Sequence, residues 1–250
     1  MTSLSPSALA YCFCVLLLAY ALRGSSGFGS ALGMPLLALV IPVKVLAPAW
    51  TLLGIASSIA ILGRDRAHVA RGELMRFIPW CALGIAIGIY WFQALDSNVL
   101  AQVLGVVLLG YGAYSFWTTF RPNSPPLVPA TLLQPVAATV AGAVGTLFGA
   151  MATVFFAIYL NTKRLTKHAF RATLSAMLLS LSVCRAIAYA AVNELGLESL
   201  TLFAAALPAM MLGIFIGNAF HARVDEVGFR RLVCVILLLC GGTLVAQGSR

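Results

Sequence analysis

Charge is what this sequence has least of. Only 9% of its 250 residues are Asp, Glu, Lys or Arg, against roughly a quarter in soluble domains, so the chain cannot clothe a water-facing surface. Acids are scarcest. The seven, Asp65, Glu73, Asp96, Glu194, Glu198, Asp225 and Glu226, all read as lying in loops between the apolar runs. Proton and cation carriers commonly place a carboxylate within the bilayer, so this chain is poorly equipped for binding Na⁺ or metal ions. There is no P-loop, HExxH, nucleophile elbow or Cys-x-x-Cys pair, which leaves enzymatic chemistry, a resident metal and a cofactor without residues to stand on. The six cysteines, Cys12, Cys14, Cys81, Cys184, Cys234 and Cys240, fall in apolar stretches and read as small core hydrophobes. Strict alternation of apolar with polar residues is also missing, which excludes an outer-membrane barrel.

Apolar residues, in contrast, make up 61% of the chain. That is about 152 residues, enough for seven or eight membrane-crossing helices at roughly 20 residues each. The expected fold class is therefore all-α: a polytopic membrane protein of about eight transmembrane helices plus short broken or re-entrant segments. Apolar runs at 31–43 and 150–160 are too short to cross ~30 Å of hydrocarbon comfortably at 1.5 Å per residue. Each follows a longer run, 8–22 and 131–148, with which it could form a tight hairpin. The first run lacks the basic leader and clean cleavage site of a signal peptide and is expected to remain as a helix.

One stretch reads as a linker: RPNSPPLVP, Arg121 to Pro129, has four prolines and lies near the midpoint. It divides the chain into a first repeat over 1–120, a linker over 121–130 and a second repeat over 131–250. RGSSGFGSALGMPLLALVIPVK (Arg23–Lys44) stands before it and AGAVGTLFGAMATVFFAIYLNTK (Ala141–Lys163) after it. In both, a glycine-rich break precedes a short apolar piece, a lysine and three long runs. Loop charge sets the relative orientation. The 63–76 loop of the first half carries four arginines, whereas its counterpart at 193–199 carries only Glu194 and Glu198, and the basic residues Arg223, Arg230 and Arg231 come one loop later. By the positive-inside rule the repeats are inverted, with both termini external and the linker cytoplasmic. The net charge of +9 is thus a topology signal of an inner-membrane protein rather than a nucleic-acid footprint.

Inverted repeats with paired helix breaks are a carrier architecture in which exposed backbone ends form the substrate site. Gly24, Gly27, Gly29 and Gly33 fall within ten residues, each costing about 0.8–1.0 kcal/mol in a helix relative to Ala. Close helix packing is one reading of these glycines. The other is that they and Ser25, Ser26 and Ser30 leave N–H groups and hydroxyls for an anion, with Pro35 supporting an interruption nearby. The second break offers Gly142, Gly145, Gly149 and the hydroxyls of Thr146 and Thr153. Arg185 lies inside an apolar run with no acid to pair with. It must snorkel to an interface, find backbone carbonyls, or face a water-filled cavity or anionic ligand. Arg171 could reach the same cavity, and His168 is the candidate for a titratable switch.

The strings GSSGFGSALGMPLLAL, GAVGTLFGAMATVFFAIYL and HAFRATLSAML resemble the TauE/SafE sulfite-exporter family. The resemblance implies a two-halved carrier of small sulfur oxyanions or organosulfonates, often moving them outward. Residue by residue it points to Gly24, Gly27, Gly29, Gly33 and Pro35 in the first break, and to Gly142, Gly145, Phe170, Arg171 and Thr173 in the second. The expected function is secondary transport of a small anion, with the lipid bilayer as surroundings and a homo-oligomer as a possible assembly. A passive anion channel and a non-transporting membrane assembly or thiol-handling protein are the alternatives.

Overall fold

The computed structural model describes residues 6–26, 30–65, 69–120, 130–163, 165–219 and 226–248. Gly27, Gly29 and most of the linker lie outside these residues. Among the described residues ten helices run in chain order: α1 (Pro6–Ser26), α2 (Ser30–Ala38), α3 (Val43–Asp65), α4 (Arg71–Ala94), α5 (Ser97–Phe120), α6 (Ala130–Phe148), α7 (Ala152–Asn161), α8 (Lys167–Ala191), α9 (Leu197–Ala219) and α10 (Glu226–Gly248). Among the described residues there is no strand.

Among the described residues six helices are long and apolar enough to cross a membrane, namely α1, α3, α4, α5, α8 and α9, and shorter apolar stretches lie in α6 and α10. The helices α2 and α7, of 9 and 10 residues, span about 14–15 Å at 1.5 Å per residue, half the hydrocarbon thickness. These are the expected short pieces. Pro35 sits inside α2, in its sixth position. Glu73 moves. It belongs to the first turn of α4 and not to a loop.

The helices pair α1 on α9, α4 on α6 and α5 on α10, with α3 crossing α8 at the centre. Between lipid-soluble helices close packing replaces the hydrophobic drive, and small residues allow backbones to approach. Gly142 of α6 lies against Gly84 of α4, where an added Cβ would sit 2.6 Å from the Cys81 carbonyl oxygen. Gly217 of α9 meets the Ala21 backbone of α1 in the same way. Four-residue glycine spacings do this packing at Gly84/Gly88 and Gly213/Gly217.

Large aromatic and aliphatic side chains, among them Tyr20, Trp50, Phe92, Phe148 and Tyr189, fill the main core. A second cluster gathers Phe77, Phe156 and Tyr159. The outside is equally apolar: Leu197, Phe215, Leu239 and Ile187 are each more than 60% exposed, which suits acyl chains and not water. Cys12, Cys81 and Cys240 are buried, whereas Cys14 and Cys184 stand on the exposed face, so not every cysteine is a core residue.

Candidate functional site

The second helix break is built on two left-handed residues. Gly149 has φ 72° and Met151 has φ 70°; together they stop α6 and restart the chain as α7. An added Cβ at Gly149 would lie 2.9 Å from the Ala47 carbonyl oxygen of α3, so glycine is needed there for conformation and for space. Where α6 stops inside the bundle, the Gly145 carbonyl still takes the Gly149 N–H at 2.8 Å, and the carbonyls of this last turn are open to further donors. Two side chains of α8 supply the donors. Arg185 donates through Nη1 to the Gly145 carbonyl and through Nη2 to the Gly149 carbonyl at 3.3 Å, with Ser182 Oγ at 3.5 Å. Tyr189 donates its hydroxyl to the Thr146 carbonyl.

Arg185 therefore does not snorkel. It is 3% exposed and offsets the negative end of the α6 dipole. Ala152 and Thr153, at the start of α7, line a crevice with Gly149, Ala150 and Met151. Across it, α3 contributes Trp50 and Gly54, α8 contributes Leu178, Leu181, Ser182 and Arg185, and α1 contributes Arg23. Its empty space, mouth included, is about 290 Å³.

Arg23 is the residue that sequence reasoning missed. It ends an apolar run and so looks like an interfacial charge, yet it is 5% exposed and donates to Ser58 Oγ of α3 at 3.0 Å. A basic residue directly before a glycine-rich break was the available signal. Two guanidinium groups, one from each half of the chain, thus share one crevice, and no acid lines it. Three buried polar atoms among the described residues have no partner, Arg185 Nε, Trp50 Nε1 and the Tyr20 hydroxyl, and the first two belong to residues lining the crevice. Trp50 was also missed, because an indole inside an apolar run is indistinguishable from core by pattern.

Of the residues expected at the site, Gly149 and Arg185 line the crevice and Gly145 joins through its carbonyl. The others described go elsewhere. Gly24 packs against Ile214 of α9, Gly33 against Trp50 and Ala19, and Gly142 against α4. Thr146 returns its hydroxyl to the Gly142 carbonyl at 2.7 Å within its own helix. Thr173 accepts from the Ala70 N–H at 3.0 Å, fastening the start of α4 to α8. Ser25, Ser26, Ser30, His168 and Arg171 are placed only as helix positions, their side chains lying outside the described set.

A separate polar cluster joins α4 to the end of α7. Tyr159 donates its hydroxyl to the Glu73 carboxylate, whose other oxygen lies 3.3 Å from Lys163 Nζ. Lys163 also stands 5.1 Å over the Tyr159 ring. The Tyr159 hydroxyl, with the Glu73 carboxylate beside it, holds the Lys163 ammonium above the usual lysine range.

Long apolar helices with an apolar exterior, and no strand among the described residues, define a multi-pass helical membrane protein. The family model described as "Sulfite exporter TauE/SafE" matches residues 12–244, and the chain belongs to that family, a family of transporters rather than enzymes. No curated protein and no solved structure matches it.

Proposed function

We propose that the protein is a secondary carrier that moves small oxyanions, sulfite or organosulfonates first among them, across the inner membrane by alternating access. The observation that carries this reading is the meeting of Arg23 and Arg185 in one crevice without an acid. Buried guanidinium charge of that kind is costly until an anion arrives to share it. The half-helix end of α7 adds backbone N–H groups and a favourable dipole. Gly145 and Gly149 act through their carbonyls, by holding Arg185 in place.

The pairing of helices supports the two-repeat reading. Exchanging α1–α5 with α6–α10 turns the α1/α9 contact into α6/α4 and leaves α3/α8 and α5/α10 as contacts with themselves. A repeat over 1–120 and another over 131–250, inverted across the 121–130 linker, would have this property. Both termini would then be external. Alternating access would rock the α1/α9 and α4/α6 pairs about the central α3/α8 crossing.

Sulfite flux in proteoliposomes tests the site. Arg23→Gln and Arg185→Gln should each lower flux by about tenfold or more, the scale of a lost charge-assisted contact. Arg185→Lys should recover part of it, since an ammonium retains the charge but not the fork. Unchanged flux in both glutamine variants would remove the cationic site, and single-channel currents in place of saturable flux would make the protein a channel.

A further inference from the structure

The crevice is uneven in the kind of hydrogen bonds it has to offer. Four acceptors at or beside it are engaged: the Gly145 and Gly149 carbonyls and Ser182 Oγ receive Arg185, and Ser58 Oγ receives Arg23. A hydroxyl that accepts from a guanidinium still has its own proton to give. Donors are left over. Trp50 Nε1 and Arg185 Nε belong to residues that line the crevice, and both are buried with no partner. Native folds seldom leave a buried N–H unsatisfied, and two in one small space mark a place kept for something that accepts. Among the residues lining it there is no Asp, Glu or His that could receive a proton from a ligand.

We propose that Trp50 is a specificity-determining residue of this site, its indole N–H and the Arg185 Nε–H both reserved for the cargo, and that the crevice selects oxyanions bearing no proton over equally charged ones that bear one. The proposal rests on the anion-carrier reading and deepens it. A protonated oxyanion would bring an O–H donor to a wall of donors, leaving that hydrogen and one of the N–H groups without acceptors. An oxyanion without a proton accepts from every side, and a doubly charged one balances both guanidinium groups. Trp50 is held for the task by its packing: its ring lies against Gly33 of α2 and 5.6 Å from the ring of Tyr20.

Thiosulfate and hydrogen phosphate separate the proton from the charge, because at mildly alkaline pH both are tetrahedral dianions and only phosphate carries a proton. Calorimetric titration of the full chain in nanodiscs should find thiosulfate bound at least about tenfold more tightly, the scale of an unsatisfied polar contact. Phosphate binding as tightly as thiosulfate would overturn the proposal while leaving the anion-carrier reading in place. Trp50→Phe keeps a ring but removes the N–H, and should weaken thiosulfate by about tenfold with the unfolding midpoint preserved. An unchanged affinity in that variant would overturn the role of Trp50. Should the variant not fold, the comparison of the two anions on the unaltered protein still decides selection. Binding of neither anion, with sulfite flux indifferent to Arg23 and Arg185, would sink both readings together.

Discussion

Gly149 illustrates how much rests on single positions in this bundle. Its φ of 72° is open to glycine and strained for other residues, and a Cβ there would press on α3. Gly149→Ala should therefore destabilise the protein by roughly 1–3 kcal/mol, seen as a lower unfolding midpoint, and should also reduce flux because the carbonyl that holds Arg185 moves. Gly110→Ala is the contrast. That glycine lies inside α5 with nothing within 4 Å of an added Cβ, so the change should be neutral or stabilising by up to about 1 kcal/mol through helix propensity. Both glycines look alike in the sequence; the backbone dihedral and the neighbour distinguish them. Arg23 and Arg185 make the same point for charge. One ends an apolar run and the other interrupts one, and only the fold shows that both enter the same crevice.

Among the elements, the paired spans depend on small residues more than on greasy ones. An apolar side chain gains little by leaving lipid for another helix, so the backbone approach that Gly84 and Gly217 allow is what distinguishes the right partner from the bilayer. Gly217→Val should force α1 from α9 and abolish the monodisperse folded species in size-exclusion chromatography. Gly242→Val, on α10 with nothing within 4 Å, should leave that species intact. If the two variants behave alike, the close approach is not what holds the pair. The long runs and the short pieces α2 and α7 were legible as elements because apolar length maps directly onto helix length. Glu73 was not: an acid near a basic loop looks solvated, and its place in the first turn of α4 beside Tyr159 and Lys163 depends on the return of α7, far along the chain.

For the whole molecule, the proposed inverted arrangement predicts that tags on both termini react with an impermeant reagent from outside, and that a tag in the 121–130 linker reacts only from the cytoplasm. Termini on opposite sides, or both inside, would break the correspondence between loop charge and orientation. The sequence by itself determined that the chain is helical and membrane-embedded, because 61% apolar residues arranged in runs of helical length have no other low-energy solution in lipid. The glycine-rich breaks were visible too, since their composition is costly in an unbroken helix. Tertiary structure alone decided which glycines pack helices and which one ends a helix, that Arg23 and Arg185 converge, and that Trp50 stands beside them with its N–H unsatisfied. Those outcomes come from contacts between different helices, from 17 positions apart for Gly33 and Trp50 to 196 for Ala21 and Gly217, and in a chain this uniformly apolar no local periodicity separates the face turned to lipid from the face turned to a crevice.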